Sequence, residues 1–282
     1  MASGSTAMQA SSERVRATLV GASAILMWSL IALLVTSTGK VPPFWLNAVT
    51  FAIGGTVGLV WVIARGRLRA LRQPWPVWLH GVAGLFGFHA LYFTALKTAP
   101  PVEVNLINYL WPLLIVLFST ALPGERLRPY HVLGAAMGLA GAVLILAGGR
   151  GLELDPSHLA GYAAALGSAV IWAVYSVLSR RLKHVPTEAV AGFCLATAAL
   201  SALCHVAFEP SVWPQTAVQW LAVVGIGLMP VGLAFFVWDY GMKRGDIQAL
   251  GAASYATPLL STLFLVAAGY GRASLTLALA CL

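Results

Sequence analysis

Charge is what this chain has least of. Only 9% of its residues are Asp, Glu, Lys or Arg, against about a quarter in soluble domains. That is too little for a solvated surface, and short connections throughout leave no room for a soluble domain. Cysteine is equally sparse. The three cysteines, Cys194, Cys204 and Cys281, form neither a disulfide framework nor a metal-ligand spacing. Cys194 and Cys204 share one apolar run and read as small packing residues. The G-x-x-x-x-G-K-[ST] loop of an ATP-driven pump is absent, as are the H-E-x-x-H zinc helix and any Cys/His ligand cluster. No cofactor and no metal are expected. Gly21-Ala22-Ser23-Ala24 and Gly167-Ser168 are the only hints of a serine hydrolase. No histidine is placed as a base for them, and Gly and Ser are ordinary packers between membrane helices. The chain is not expected to be an enzyme.

What the chain does have is apolar sequence, 59% of its residues. It is arranged as runs over about 17–37, 44–64, 78–97, 102–121, 131–148, 159–179, 188–208, 217–238 and 247–268, most near the ~20 residues that cross a bilayer. A tenth run begins at Ala273 and reaches the last residue, Leu282, after about ten positions, too short to span, so an incomplete tenth helix is expected. The first run is read as a retained helix rather than a signal peptide, with the polar residues 1–12 before it disordered.

The net charge of +8 is not a nucleic-acid footprint. With the N-terminus in the cytoplasm, the inner segments hold Arg14 and Arg16; Arg65, Arg67, Arg69 and Arg72; Arg126 and Arg128; Arg180, Arg181 and Lys183; and Lys243 with Arg244. Those are 13 of the 17 basic residues, and only Lys40, Lys97, Arg150 and Arg272 lie outside. The bias orients the chain by the positive-inside rule, with the bilayer and not nucleic acid as its partner.

The sequence also repeats itself. Shifted by 146 positions (97 onto 243), Lys97 falls on Lys243, Tyr109 on Tyr255, Pro112 on Pro258 and Leu113-Leu114 on Leu259-Leu260. About five spans separate the copies, so they cross the bilayer in opposite directions, as in alternating-access transporters with a midplane site. The segment from Gly148 to His158 is the natural seam. It predicts an all-α membrane protein of ten helices in two inverted five-helix repeats, 14–148 and 157–282. Trp28 and Trp172 sit at similar places in the two halves.

Two matched helical faces carry the candidate chemistry. Asn105, Asn108, Tyr109 and Pro112 lie at i, i+3, i+4 and i+7, and Gly251, Ser254, Tyr255 and Pro258 repeat that spacing. Such polar faces point into a wet cavity or bond between helices, and the spacing alone leaves both open. Most tryptophans (Trp45, Trp61, Trp75, Trp78, Trp213, Trp220 and Trp238) fall near span ends, where an interfacial belt is expected. Trp28, Trp111 and Trp172 lie deeper, beside Phe88, His89, Tyr92 and Tyr175. An aromatic lining suits a flat apolar side chain by stacking and an ammonium by cation–π attraction. Asn105 and Asn108 offer hydrogen bonds to an α-amino or α-carboxyl group. The expected substrate is therefore a zwitterion with an aromatic or hydrophobic side chain.

Lys97 with Glu103, and Lys243 with Asp246, flank turns at opposite ends. They read either as snorkelling lysines beside loop acids or as paired charges of a gate. His80, His89 and His205 are the histidines available to a proton relay. With no acid evident at a span centre, proton coupling is not indicated. Glycines at 54, 55 and 58, at 81, 84 and 87, and at 134, 138 and 141 read as packing surfaces. Oligomeric state is not readable.

Ten spans, an inside N-terminus, the inverted repeat and a proline after an aromatic in spans four and nine resemble the drug/metabolite transporter superfamily, in its EamA-type branch. The stretch from Gly84 to Ser119, with its core Ile107-Asn108-Tyr109-Leu110-Trp111-Pro112, resembles the aromatic amino-acid exporters of that branch. The resemblance implies a multi-pass protein of the bacterial inner membrane. It also implies an amino-acid substrate in a central cavity between the halves, with roles for Tyr92, Tyr109, Trp111 and Trp172. A drug or other metabolite exporter is the alternative within the superfamily, and an intramembrane enzyme or sensor the alternative outside it.

Overall fold

The computed structural model describes residues 2–147 and 155–269, and all regular structure among them is helical. Nine helices there are long and apolar enough to cross a membrane. They are α1 (Ser11–Thr36), α2 (Pro43–Ala64), α3 (Trp75–Thr98), α4 (Pro101–Ala121), α5 (Pro129–Leu146), α6 (Pro156–Arg181), α7 (Thr187–Phe208), α8 (Ala217–Arg244) and α9 (Ile247–Ala267). They match the nine apolar runs. The tenth run and most of the seam lie outside the described residues. One expectation changes: residues 2–12 are not disordered, because helix begins at Ala2 and continues unbroken into α1.

Local chemistry sets the helix starts. Proline opens α2, α4, α5 and α6, where a missing N–H removes no helical bond. Asp155 precedes α6, and its carboxylate accepts from the Ser157 N–H (2.8 Å). That bond holds the Asp155 carboxyl below its ordinary range. Asp246 caps α9 by accepting from the Gln248 and Ala249 N–H groups (3.1 and 3.0 Å), satisfying donors that a helix start leaves free.

Five helices are irregular inside: α1 breaks at Leu30, and the other four form equivalent pairs. α3 widens into a π turn at Ala83–Gly87, and α8 does so at Met229–Leu233, the same 146-residue shift (83 onto 229). α4 breaks between Pro101–Asn108 and Trp111–Phe118, and α9 between Ile247–Ala253 and Ala256–Ala267. The cause is Pro112 in one and Pro258 in the other. Each ring crowds the carbonyl four residues earlier, at Asn108 and Ser254, and removes one donor. The repeat is thus written into the backbone as well as the side chains.

Packing carries the same symmetry. α2 lies on α7, α1 on α8, α3 on α6, α4 on α6 and α9 on α1. Exchanging α1–α4 with α6–α9 maps this scheme onto itself, as an inverted pair of repeats requires. Small residues bring the backbones together. A Cβ on Gly21 would lie 2.9 Å from the Gly241 Cα, and one on Gly54 2.6 Å from the Gly232 Cα. Gly81 faces Phe193, Gly84 faces Tyr175 and Gly138 faces Tyr255, whereas Gly134 has no neighbour within 4 Å.

Candidate functional site

Four tryptophans meet at the centre of the bundle, one each from α1, α4, α6 and α8. Trp28 lies 6.2 Å from Trp111, 5.7 Å from Trp172 and 4.9 Å from Trp238, ring centroid to centroid. The other three pairs lie at 6.0–6.3 Å, within the range of favourable aromatic contact. Phe235 packs on Trp28 and Trp172 and stacks on Phe51 (5.4 Å). The group joins both halves of the chain.

Trp238 was expected at a span end, and this is corrected: it is fully buried, with its Nε1 donating to Ser176 Oγ (3.1 Å). The apolar run stops at residue 238, but α8 continues to Arg244, so Trp238 lies more than a turn inside. The polar letters after it hid that. Trp45 is likewise buried, in an aromatic contact with Trp213 (5.3 Å).

The expected site residues divide by exposure. Phe88, His89, Tyr92, Asn105 and Tyr109 are half-buried. Phe88 stacks on Tyr92 (5.8 Å) and leans on Trp172 (5.5 Å). The Tyr92 hydroxyl donates to Asn105 Oδ1, and Asn105 Nδ2 donates to the Pro101 carbonyl (2.7 Å). Asn108, Trp111, Trp172 and Tyr175 are buried. Asn108 Nδ2 donates to Ser168 Oγ (2.7 Å), so it links α4 to α6 in the interhelical manner. Tyr175 sits between Trp172 (5.2 Å) and the His80 ring (4.8 Å).

The three histidines make no chain. His89 Nδ1 donates to the Leu85 carbonyl (2.7 Å) while its ring meets Phe51 edge-on. His80 Nε2 donates to Ser179 Oγ (3.2 Å), whose own hydrogen goes to the Tyr175 carbonyl. His205 lies at the far end with Glu209 (3.1 Å) and Ser211 (3.0 Å).

Neither Lys97 nor Lys243 pairs with the acid across its own turn. Lys97 bridges Glu209 (3.3 Å), not Glu103. The Glu209 carboxylate also accepts from the Phe44 and Trp45 N–H groups (3.1 and 3.2 Å). These are the first donors of α2, because Pro42 and Pro43 have none. Glu103 keeps one buried oxygen, Oε2, without a partner. Lys243 donates to Asp239 (2.8 Å) and the Val185 carbonyl (2.9 Å), not to Asp246. Asp239 also accepts from Thr187 Oγ1 (2.6 Å). Asp239 is 3% exposed because, like Trp238, it lies inside α8, though beyond the end of the apolar run. The equivalent lysines therefore anchor opposite ends, each through an acid that its own turn did not suggest.

α4 and α9 cross with opposite directions of travel. Gly251 lies against Ile115, Val116 and the Pro112 carbonyl, and Gln248 Nε2 donates to Ser119 Oγ (3.2 Å). The Leu113 N–H, left free at the break, donates to Tyr255 Oη (3.2 Å). Beyond the crossing the two helices part: Ala256–Ala267 turns to α1 and α5, and Pro101–Asn108 to α3, α5 and α6.

The end that holds most of the basic residues is tied shut. Arg14 pairs with Asp246 (3.1 Å) and Glu125 (3.5 Å), and Arg180 with Glu125 (3.2 Å). Arg180 also donates to the carbonyls of Lys243 (2.9 Å) and Gly245. α1, α6, the α4–α5 turn and the α8–α9 turn meet in this network.

An all-helical bundle of inverted halves, sealed at one end around an aromatic centre, defines a helical membrane transporter. The chain belongs to the EamA-like transporter family, which it matches over residues 15–147 and 159–279. It is 63% identical to the aromatic amino acid exporter YddG of Ancylobacter novellus, over 95% of this chain and 94% of that one. It is 26% identical to the aromatic amino acid exporter YddG of Escherichia coli K12, over 88% and 87%. A solved crystal structure at 62% identity superimposes with a TM-score of 0.91, over 94% of this chain and 92% of that one.

Proposed function

We propose that this protein exports amino acids, chiefly aromatic and hydrophobic ones, by alternating access between its two halves, 14–148 and 157–282. One observation carries the reading. A half-buried face of Phe88 and Tyr92, with Asn105 bonded to Tyr92 and Tyr109 one turn on from Asn105 at the break in α4, lies next to the four-tryptophan centre. Aromatic rings there stack a flat side chain. The Tyr109 hydroxyl and the remaining Asn105 donor serve the charged α-groups, and the break leaves backbone polar groups free beside them. The name of the Ancylobacter relative supports the same substrate class.

The protein sits in the bacterial inner membrane with its N-terminus and basic end in the cytoplasm. On this reading the tied basic end closes the path to the cytoplasm, and the outward path runs between α4 and α9. Pro112, Tyr255 and Pro258 act as hinge elements where those helices cross. Lys97, Glu103 and Lys243 belong to the end contacts that exchange during the cycle.

Membrane vesicles with the cytoplasmic face outward test this directly. They are expected to take up labelled phenylalanine in preference to unrelated drugs, and right-side-out vesicles to release it. Tyr109→Ala and Trp172→Ala are each expected to abolish that flux in protein that still purifies as a single species. Unchanged flux in both variants sinks the site.

A further inference from the structure

Inside the basic end lies a pocket of about 550 Å³ that the aromatic site does not use. Arg14 reaches it from α1, Arg180 and Lys183 from the end of α6, and Arg244 from α8, with Glu125 on its wall. Basic groups outnumber acids there, and Lys183 makes no ion pair among the described residues. Arg180 is the key group. Its side chain is 17% exposed, and its Nε is buried with no hydrogen-bond partner, although its terminal nitrogens hold Glu125 and two carbonyls. A buried guanidinium with a spare donor beside a cationic cavity is a receiver for an anion with two oxygens. The acid that now neutralises it, Glu125, is also a partner of Arg14 in the seal.

We propose that this pocket is the entry vestibule for the substrate's carboxylate. The incoming carboxylate replaces Glu125 on Arg180 and Arg14, and that exchange of one anion for another loosens the seal between α1, α6 and the α4–α5 turn. The charge at the arginines is the same before and after, so the seal opens without stranding a buried cation, which is costly. The inference rests on the amino-acid reading and deepens it, because cargo and key become one chemical group.

Sided vesicles separate this from the general reading. Lys183→Gln removes an attracting charge outside the seal and is expected to raise KM for phenylalanine about tenfold at the cytoplasmic face, the size of one lost charge-assisted contact. Glu125→Gln removes the competing anion and is expected to lower that KM. Lys183→Gln, which lies outside the seal, leaves the KM at the opposite face unchanged. A Glu125→Gln variant that raises KM, or equal shifts at both faces, overturns the proposal. So does a KM that follows the anionic-lipid content of reconstituted vesicles in the parent and loses that dependence in Lys183→Gln, since the pocket then serves a headgroup. Absence of phenylalanine flux in the parent protein at either face refutes the transport reading instead.

Discussion

Tyr109 and Tyr255 hold equivalent places in the repeat but differ in surroundings. Tyr255 is buried with its hydroxyl accepting the orphaned Leu113 N–H. Tyr109 is half-buried, and its hydroxyl has no partner among the described residues. The phenylalanine substitutions should therefore part company. Tyr255→Phe leaves a backbone donor unsatisfied and is expected to cost about 1–3 kcal/mol, seen as a lower Tm in detergent. Tyr109→Phe is expected to keep the Tm and reduce phenylalanine flux. Equal effects on both quantities would refute the division. The letters at 105, 108 and 111 against 251, 254 and 257 already pointed to unequal halves. The partners of Lys97 and Lys243 were not legible. Glu209 is 112 residues from Lys97, and nothing local marks it. Asp239 is only four residues from Lys243, but it was hidden in a stretch polar enough to read as a loop.

At the level of helices, apolar runs fixed nine spans because a bilayer tolerates little else, and the two breaks fall at the prolines that the repeat matches, Pro112 and Pro258. The π turns were silent, since one widened turn alters neither length nor hydropathy. The α4–α9 crossing depends on Gly251, where a Cβ would already lie 3.1 Å from Ile115 and Val116. Gly251→Leu is expected to wedge the helices apart at the closed end. Ser119, fully buried against Gln248, gives the readout. Ser119→Cys in the Gly251→Leu background should react with an impermeant maleimide from the basic end about tenfold faster than Ser119→Cys alone, a shift of roughly 1.4 kcal/mol in the open population. An unchanged rate would show that the crossing is not the seal.

For the molecule as a whole, the inverted arrangement was readable from a single self-match, because letters, breaks and packing obey one exchange of halves. What the letters could not give was state. Which end is shut depends on contacts such as Arg180 with Glu125, made between segments that sequence order keeps apart. Symmetry supplies two equivalent closures, and the ion pairs at the basic end select one of them in this form.

The four-tryptophan centre has an optical consequence. Two indoles belong to the first half and two to the second, each within 6.3 Å of the others, close enough for their electronic transitions to couple. The native protein should therefore show a strong near-ultraviolet dichroic couplet and self-quenched emission. Both should change as the halves move, in step with substrate added from one face. The protein then carries its own chromophore for timing each turnover, with no label attached.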